Sequence, residues 1–413
     1  ATSIMSSTGN PDLPKASDAA MVALQERPAS TDRETVLRHN MKGRRVYQSP
    51  AYPMSDEALY QKCATEYEHM YYPEGAARQY AAIIADGSRV DRLKNVRLPF
   101  LVIHGKADPL VPVEGGIDTA KHVAGAKLEL IDGMGHDLPV ELCPRYVELI
   151  ADLADSAERK KAPPDIFGRG FLFFIYWQIR GKSGFHIIPK RSSILRKNGD
   201  ESHLLKGHVI CLYAPFNFSS PRPIWGVAPM RCGRRIDMAR IKTNGIAIEY
   251  DSFGSPKSEA ILLIPGLGSQ LTQWPVELCN TLVKRGYRVI RMDNRDSGLS
   301  SKMLPVRGMT HDDMLASASA KSFDFAGYTL NDMASDAINL LDGVKVEKAH
   351  IVGAGMGGMI AQTMAAEHPA RVFSLTSIMS TSGNPELPRI DEDVLKLFLR
   401  SASMASDIES IVS

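Results

Sequence analysis

The residues whose types and spacing could do chemistry begin with the stretch Ala349 to Ala361, AHIVGAGMGGMIA. A short apolar run, Ala349 to Val352, leads into a cluster of glycines and then a helix-forming segment from Met359 to Glu367, the pattern of a buried strand turning sharply into a helix. Gly353 and Gly357 stand where a G-x-S-x-G nucleophile elbow has its outer glycines, but the central position holds Gly355 instead of serine. Acyl transfer from such a turn needs an imidazole to take the hydroxyl's proton and a carboxylate to hold that imidazole in the right tautomer. It also needs preorganised N–H donors for the oxyanion. Groups of these types stand at the ends of predicted strands: Asp108 after one, His136 in the loop after the next, and Gly266-Leu267-Gly268-Ser269 after a third.

The elements that must position them alternate. Phe100 to His104, FLVIH, reads as a buried strand, followed by a helix from about Gly116 to Val123, a strand from Lys127 to Ile131, the loop Asp132 to His136 and a helix from Pro139 to Leu153. In the second part, Ile246 to Tyr250 and Ala260 to Pro265 read as strands. They are followed by a helix from Thr272 to Arg285, a strand from Tyr287 to Met292, the loop Asp293 to Gly298, a helix from Leu330 to Leu341, the elbow, and a strand from Val372 to Ile378. Strand and helix in alternation with short loops is the grammar of a parallel α/β sheet. Residues 15 to 92 carry helical spacing broken by Pro50, Pro53 and Pro73, and predict a helical layer; Asp391 to Arg400 begins another.

Two features set the organisation. Residues 2 to 14, TSIMSSTGNPDLP, nearly repeat residues 376 to 388, TSIMSTSGNPELP, so the chain holds parts of two related units, as a partial tandem duplication would leave. Residues 159 to 237 differ in kind, with a large excess of Lys and Arg, proline clusters, scattered aromatics and no strand-helix rhythm. They read as a basic linker of uncertain order, and the segment from Met238 reads as the start of a domain. A net charge of +2 argues against nucleic acid or a membrane surface as the main partner, and Phe171 to Trp177 is too short to span a bilayer. Five widely spaced cysteines, without a C-x-x-C pair, suggest neither a disulfide framework nor a zinc site, which together with the lack of a visible signal peptide gives a cytoplasmic expectation.

Taken together, LLIPGLGSQLTQW, VIRMDNRDSGLS, HIVGAGMGGMIAQ, SLTSIMSTSGNPELP, LVIHGKADPLVP and IDGMGHDLP resemble the α/β-hydrolase superfamily, and within it bacterial esterases similar to aclacinomycin methylesterase. The resemblance covers residues 1–158 and 238–413, in reversed order, and none of the middle. It implies a mostly parallel doubly wound sheet with a helical cap, divided as 1–158 (cap, acid and base strands), 159–237 (linker) and 238–413 (oxyanion loop, elbow and start of cap). It further implies His136 as base, Asp108 as orienting acid, Leu267 and Met356 as backbone oxyanion donors, Gly355 in the nucleophile position, an ester-like small-molecule substrate, and no metal or organic cofactor.

Ser269, Ser297 and Ser377 lie near the relevant loops but on no elbow, and His104 and His350 at strand positions are structural. Gly266 and Gly268 lack the remainder of a P-loop or dinucleotide fingerprint. Glycine tolerates the elbow's backbone angles, so folding is expected to survive Gly355 while Ser-His-Asp catalysis is not. Neither unit holds the whole constellation alone: either the pieces pair within one chain as a circular permutant bridged by the linker, or they pair between chains, or each is a truncated fragment. Two other classes remain: a binding protein that keeps the pocket, and a cofactor-free enzyme that uses only the His136 and Asp108 dyad for proton abstraction.

Overall fold

In the computed structural model, residues 30, 32–70, 72–159, 239–243, 245–303 and 327–387 are described. They belong to one unit made of Ala1–Pro163 and Arg235–Ser413; the second unit, Pro164–Arg234, lies outside them. The first copy of the repeat, the basic linker and the segment from Asp391 also lie outside the described residues.

Alternating apolar runs become a sheet of eight strands. In chain order these are β1 (Phe100–Gly105), β2 (Lys127–Ile131), β3 (Ala239–Thr243), β4 (Ile246–Phe253), β5 (Ala260–Ile264), β6 (Arg288–Met292), β7 (Ala349–Ala354) and β8 (Val372–Ile378). The spatial order is β2-β1-β8-β7-β5-β6-β4-β3. All neighbours are parallel except at one edge, where β4 pairs antiparallel with β6 and β3 antiparallel with β4. The decisive pairing joins the two ends of the chain: Phe100 lies opposite Leu375 and Ile103 opposite Ile378, so β1 continues the sheet built by β5, β7 and β8.

Helices cover both faces, as buried parallel strands require. These are α5 (Val113–His122), α6 (Cys143–Arg159), α7 (Val276–Lys284), α8 (Leu330–Gly343) and α9 (Met356–Glu367). Because side chains alternate along a strand, Phe100 and Val102 share one core with Leu262, Ile351, Leu375 and residues of α8 and α9. Leu101 and Ile103 share the other core with Ile261, Leu263, Val352 and residues of α6 and α7. Each core thus draws on both ends of the chain. Burial of Cys143 and Cys279 in the second core pushes their thiols up to about 11 and about 12, as inert structural cysteines.

The layer predicted within residues 15–92 appears as α1 (Arg33–Tyr47), α2 (Asp56–Met70), α3 (Pro73–Asp86) and the short α4 (Val90–Leu93). Asp32 caps α1 by accepting from Thr35 N at 3.0 Å, and α8 opens with a capping box between Thr329 and Asp332. Leu37, Leu59, Cys63 and Ala64 form a small cluster between α1 and α2.

Three details differ from the sequence expectation. Strand β3 pairs through a tight turn with β4, where only β4 was expected. The helix expected from Thr272 is instead a single 3-10 turn, Leu271–Gln273, and α7 starts after Pro275, which presets the backbone for a first helical residue. Helix α9 starts at Met356, three residues earlier than expected, because the glycines that make the segment look like a loop are demanded by packing. A Cβ at Gly357 would lie 2.1 Å from Ile264 O, and one at Gly353 would lie 2.1 Å from Gly357 O.

Candidate active site

Strand β7 passes into α9 through Gly355, at φ 53° and ψ −120°. A positive φ of this kind is costly for a residue with a side chain and cheap for glycine. The turn is held by Gly355 N donating to Ile378 O at 2.9 Å, while Met379 N donates to Ile103 O, also at 2.9 Å, across the junction of the two chain ends. A Cβ built on Gly355 would meet no close neighbour: Gly266 Cα lies at 3.8 Å, His136 Nε2 at 3.9 Å and Met379 O at 4.0 Å. Gly353 and Gly357 are therefore fixed by contact, whereas the central position is open and faces an imidazole.

That imidazole is oriented from behind. Asp108, after β1, receives Leu110 N at 2.9 Å and Val111 N at 2.8 Å on Oδ1, which is an Asx turn that fixes the carboxylate. Its Oδ2 accepts from His136 Nδ1 at 2.8 Å, so the proton sits on Nδ1 and Nε2 is left as the acceptor facing Gly355. Burial disfavours both charges, yet each outweighs that cost for the other. The His136 charge and hydrogen bond hold the Asp108 carboxyl below the usual carboxylate range, and Asp108 lifts the His136 imidazole above its ordinary value.

The loop carrying His136 is pinned by the end of α1: His136 N donates to Tyr47 O, and Gly135 N to Ser49 Oγ, each at 2.8 Å. His104, expected to be structural, is buried and bonds Val111 O through Nε2 at 2.9 Å. His350 is likewise buried, with Nδ1 on Ser374 Oγ at 2.7 Å.

The loop after β5 supplies the remaining backbone. Gly266 N donates to Gln273 Oε1 at 2.7 Å and Gly268 N to Gln79 Oε1 at 2.8 Å, which brackets Leu267 between two side-chain anchors. Among the described residues the Leu267 N–H has no acceptor. The Met356 N–H is in the first turn of α9, where no intrahelical acceptor exists. Both residues line the same cavity as His136 and Gly355. Ser269 lines this cavity too, but its carbonyl takes the Ser297 hydroxyl at 2.5 Å, and Ser377 is buried in β8 beside Gln362. Neither serine, nor Ser297, sits on the turn.

Sequence reasoning missed the groups that fasten the helical layer to this site. Arg78 on α3 makes a bidentate pair with Asp296, Nε to Oδ2 at 2.8 Å and Nη2 to Oδ1 at 2.9 Å. Asp296 also accepts from Tyr328 OH at 2.9 Å and Met303 N at 2.7 Å, and takes up φ 64°. His69 at the end of α2 reaches Asp293 at 2.8 Å, and Gln79 bonds Arg295 O at 2.8 Å as well as the loop after β5. The acidic positions in DNRDSG are legible in the sequence, but their partners in the helical layer, Arg78 and His69, lie more than 200 residues away, so no local signal pairs them.

The resulting cavity, of about 320 Å³, is bounded by Gly266, Leu267, Gly355, Met356 and Met379 below and by side chains of α1 and α2 above. Among the described residues no cluster of three His, Cys, Asp or Glu could hold a metal ion, and no helix is long and apolar enough to cross a membrane. What the arrangement offers is a base with an orienting carboxylate, two unengaged backbone donors, and space between them.

Comparison with known proteins bears on part of this chain. The family described as the alpha/beta hydrolase fold matches residues 259–405, the stretch from β5 through the turn and β8; Asp108 and His136 lie outside it. Rhodomycin D methylesterase DnrP of Streptomyces peucetius is 31% identical over 139 residues, which is 34% of this chain and 41% of that protein. RutD of Variovorax paradoxus strain S110, assigned as a carbamate hydrolase, is 32% identical over 33% of this chain and 43% of its own length. This chain thus matches less than half the length of either relative. A solved hydrolase structure from Pseudomonas aeruginosa PA01 is 26% identical, with a TM-score of 0.27, over 34% of this chain and 44% of that one. The match over residues 259–405 and the mostly parallel sheet those residues help to build thus identify an α/β-hydrolase fold in this chain, similar in sequence to esterases.

Proposed function

We propose that the two parts of this chain, residues 1–158 and 238–413, are complementary halves of one carboxylic ester hydrolase unit in reversed order, with the nucleophile position taken by Gly355. The observation that carries this reading is the 3.9 Å between a Cβ at position 355 and His136 Nε2, on an imidazole whose Nδ1 is held by Asp108. A hydroxyl there would stand between its base and the amides of Leu267 and Met356. His136 would take its proton as it attacks the ester carbonyl, the two N–H groups would hold the oxyanion, and the proton would then pass to the departing alcohol. Water would release the acid by the same sequence. Asp108 orients the imidazole and stabilises its charged form, and the helical layer of α1 to α4 acts as a cap that sets substrate size.

With Gly355 the covalent step has no attacking atom, and the activity left is what the dyad, oxyanion donors and binding supply, roughly 10³- to 10⁴-fold over water in enzymes stripped of one triad member. The named esterase relative supports an ester as substrate, and the other relative supports a carbamate as the competing class. The test is Gly355→Ser in the full chain, assayed on a short-chain nitrophenyl ester. A second reading, proton abstraction by the dyad alone, is favoured by the intact His136 to Asp108 bond. It predicts activity that vanishes with His136→Ala and does not depend on residue 355.

A further inference from the structure

We propose that Lys62 makes this cavity selective for esters that carry a carboxylate at the end remote from the scissile bond. The inference rests on the ester hydrolase reading for the bond that is cut, but the anion site itself stands on the cavity's own charges. Lys62, on α2, is half-buried and lines the same cavity as His136, Leu267 and Gly355. Among the described residues, the other charged groups nearest to it are engaged. Arg44 pairs with Glu66 at 2.5 Å, with both side chains largely buried. Asp137 accepts from Ser49 N at 3.0 Å and from the Ser49 hydroxyl. Lys62 Nζ, by contrast, makes no hydrogen bond or ion pair among the described residues.

An ammonium withdrawn from water without a partner is costly, and a ligand anion that pairs with it recovers that cost on binding. Burial pulls the lysine below its ordinary value and the Arg44 charge adds to this, against the opposing influence of Glu66 and Asp137. The Lys62 charge, with Arg44 beside it, attracts an incoming anion. The two carboxylates set its size: a single Lys beside Glu66 and Asp137 suits one negative charge, and a dianionic phosphate would be repelled by both acids. The same cavity is also lined by Met356, Met359 and Met379, adaptable apolar side chains that suit the short alkyl spacer of such an ester.

The experiment has two arms. In the first, the unmodified chain is titrated by calorimetry with monoethyl glutarate and with diethyl glutarate, beside inorganic phosphate. Binding of the monoanion roughly ten- to hundredfold tighter than the neutral diester, weakened by the same factor in Lys62→Met and partly kept in Lys62→Arg, supports the proposal. Equal binding of the two esters, or a preference that survives Lys62→Met, overturns it, as does tighter binding of phosphate. Lys62→Gln serves if the methionine variant does not fold. In the second arm, Gly355→Ser is assayed on nitrophenyl monoesters of succinate, glutarate and adipate against neutral esters of matched length, and the ratio of kcat/KM falls with Lys62→Met through KM. Turnover of the neutral ester alone tests the hydrolase reading. Its failure beside a Lys62-dependent monoanion preference would refute that reading and keep the anion site.

Discussion

Replacing Gly355 with serine is the sharpest perturbation this geometry allows. The new Cβ enters ordinary van der Waals contact, nothing nearer than 3.8 Å, so no neighbour has to move. One C–O bond beyond that Cβ, the hydroxyl falls within the roughly 2.6–3.2 Å reach of His136 Nε2 that a general-base hydrogen bond needs. The cost is conformational: φ 53° and ψ −120° suit glycine, and a residue with a side chain held in such a region loses on the order of 1–3 kcal/mol. We expect the variant to unfold several degrees below the parent, since each kcal/mol moves Tm by roughly 2–4 °C in a domain of this general size.

Against that loss, a complete Ser-His-Asp set should raise kcat on a nitrophenyl ester by up to about a million-fold over the parent, the factor lost when such a set is dismantled elsewhere. Nitrophenolate release measures the gain, and stoichiometric labelling by a fluorophosphonate measures the hydroxyl's reactivity. A folded Gly355→Ser protein that neither gains rate nor takes the label would show that His136, Leu267 and Met356 do not converge on position 355 in solution, and the reasoning would fail.

The esterase activity of Gly355→Ser should rise with pH along a limb whose apparent pKa lies above the ordinary 6.5 of histidine, and Asp108→Asn should lower both that pKa and the rate, the latter by about 10⁴-fold. Because the folded His136 is raised and Asp108 lowered, their pair stabilises fully between their ordinary values of 3.8 and 6.5. The contribution fades as pH rises through the raised histidine or falls through the lowered carboxyl, so denaturation of Asp108→Asn should show its largest deficit inside that window. Gly353→Ala and Gly357→Ala, whose new Cβ atoms would each meet backbone at 2.1 Å, should cost more than about 3 kcal/mol or abolish soluble folded protein, in contrast to Gly355→Ala. Arg78→Ala leaves Asp296 buried without its counter-charge and should cost about 3–5 kcal/mol in chemical denaturation. With a protease site introduced between Pro164 and Arg234, cleavage should leave the two products co-eluting under native conditions, since both cores draw on both ends of the chain. Separate elution would refute the shared sheet.

Much of this site was legible because chemistry on a parallel sheet is written at strand ends. Asp108, His136, Leu267 and Gly355 each follow a run that reads as a buried strand; His136, Leu267 and Gly355 line one cavity, and Asp108 holds His136 from behind. What the residues could not reveal is pairing across the chain. Leu375 and Ile378 look the same whatever strand lies beside them, and their register opposite Phe100 to Ile103 is visible only in the fold. Arg78 and Gln79 were equally hidden, since on a helix a polar side chain reads as solvated surface unless its distant partner is known, and Lys62 because nothing local shows that it faces a cavity. Strand β3 was lost for a different reason: Arg240 and Lys242 alternate with half-buried positions at an edge, a pattern too polar to stand out.

The pairing of β1 with β8 has a further consequence, for biosynthesis. Phe100 and Leu375 are separated by 275 positions (375 − 100), and a ribosome adding about 5–20 residues per second needs on the order of tens of seconds to deliver the second after the first. Throughout that interval β1 and β2 wait with one flank of backbone unsatisfied and both cores half built, the condition under which nascent chains recruit holding chaperones or aggregate. Yield in the cell should therefore respond to translation speed and chaperone supply more steeply than the finished molecule's stability would suggest.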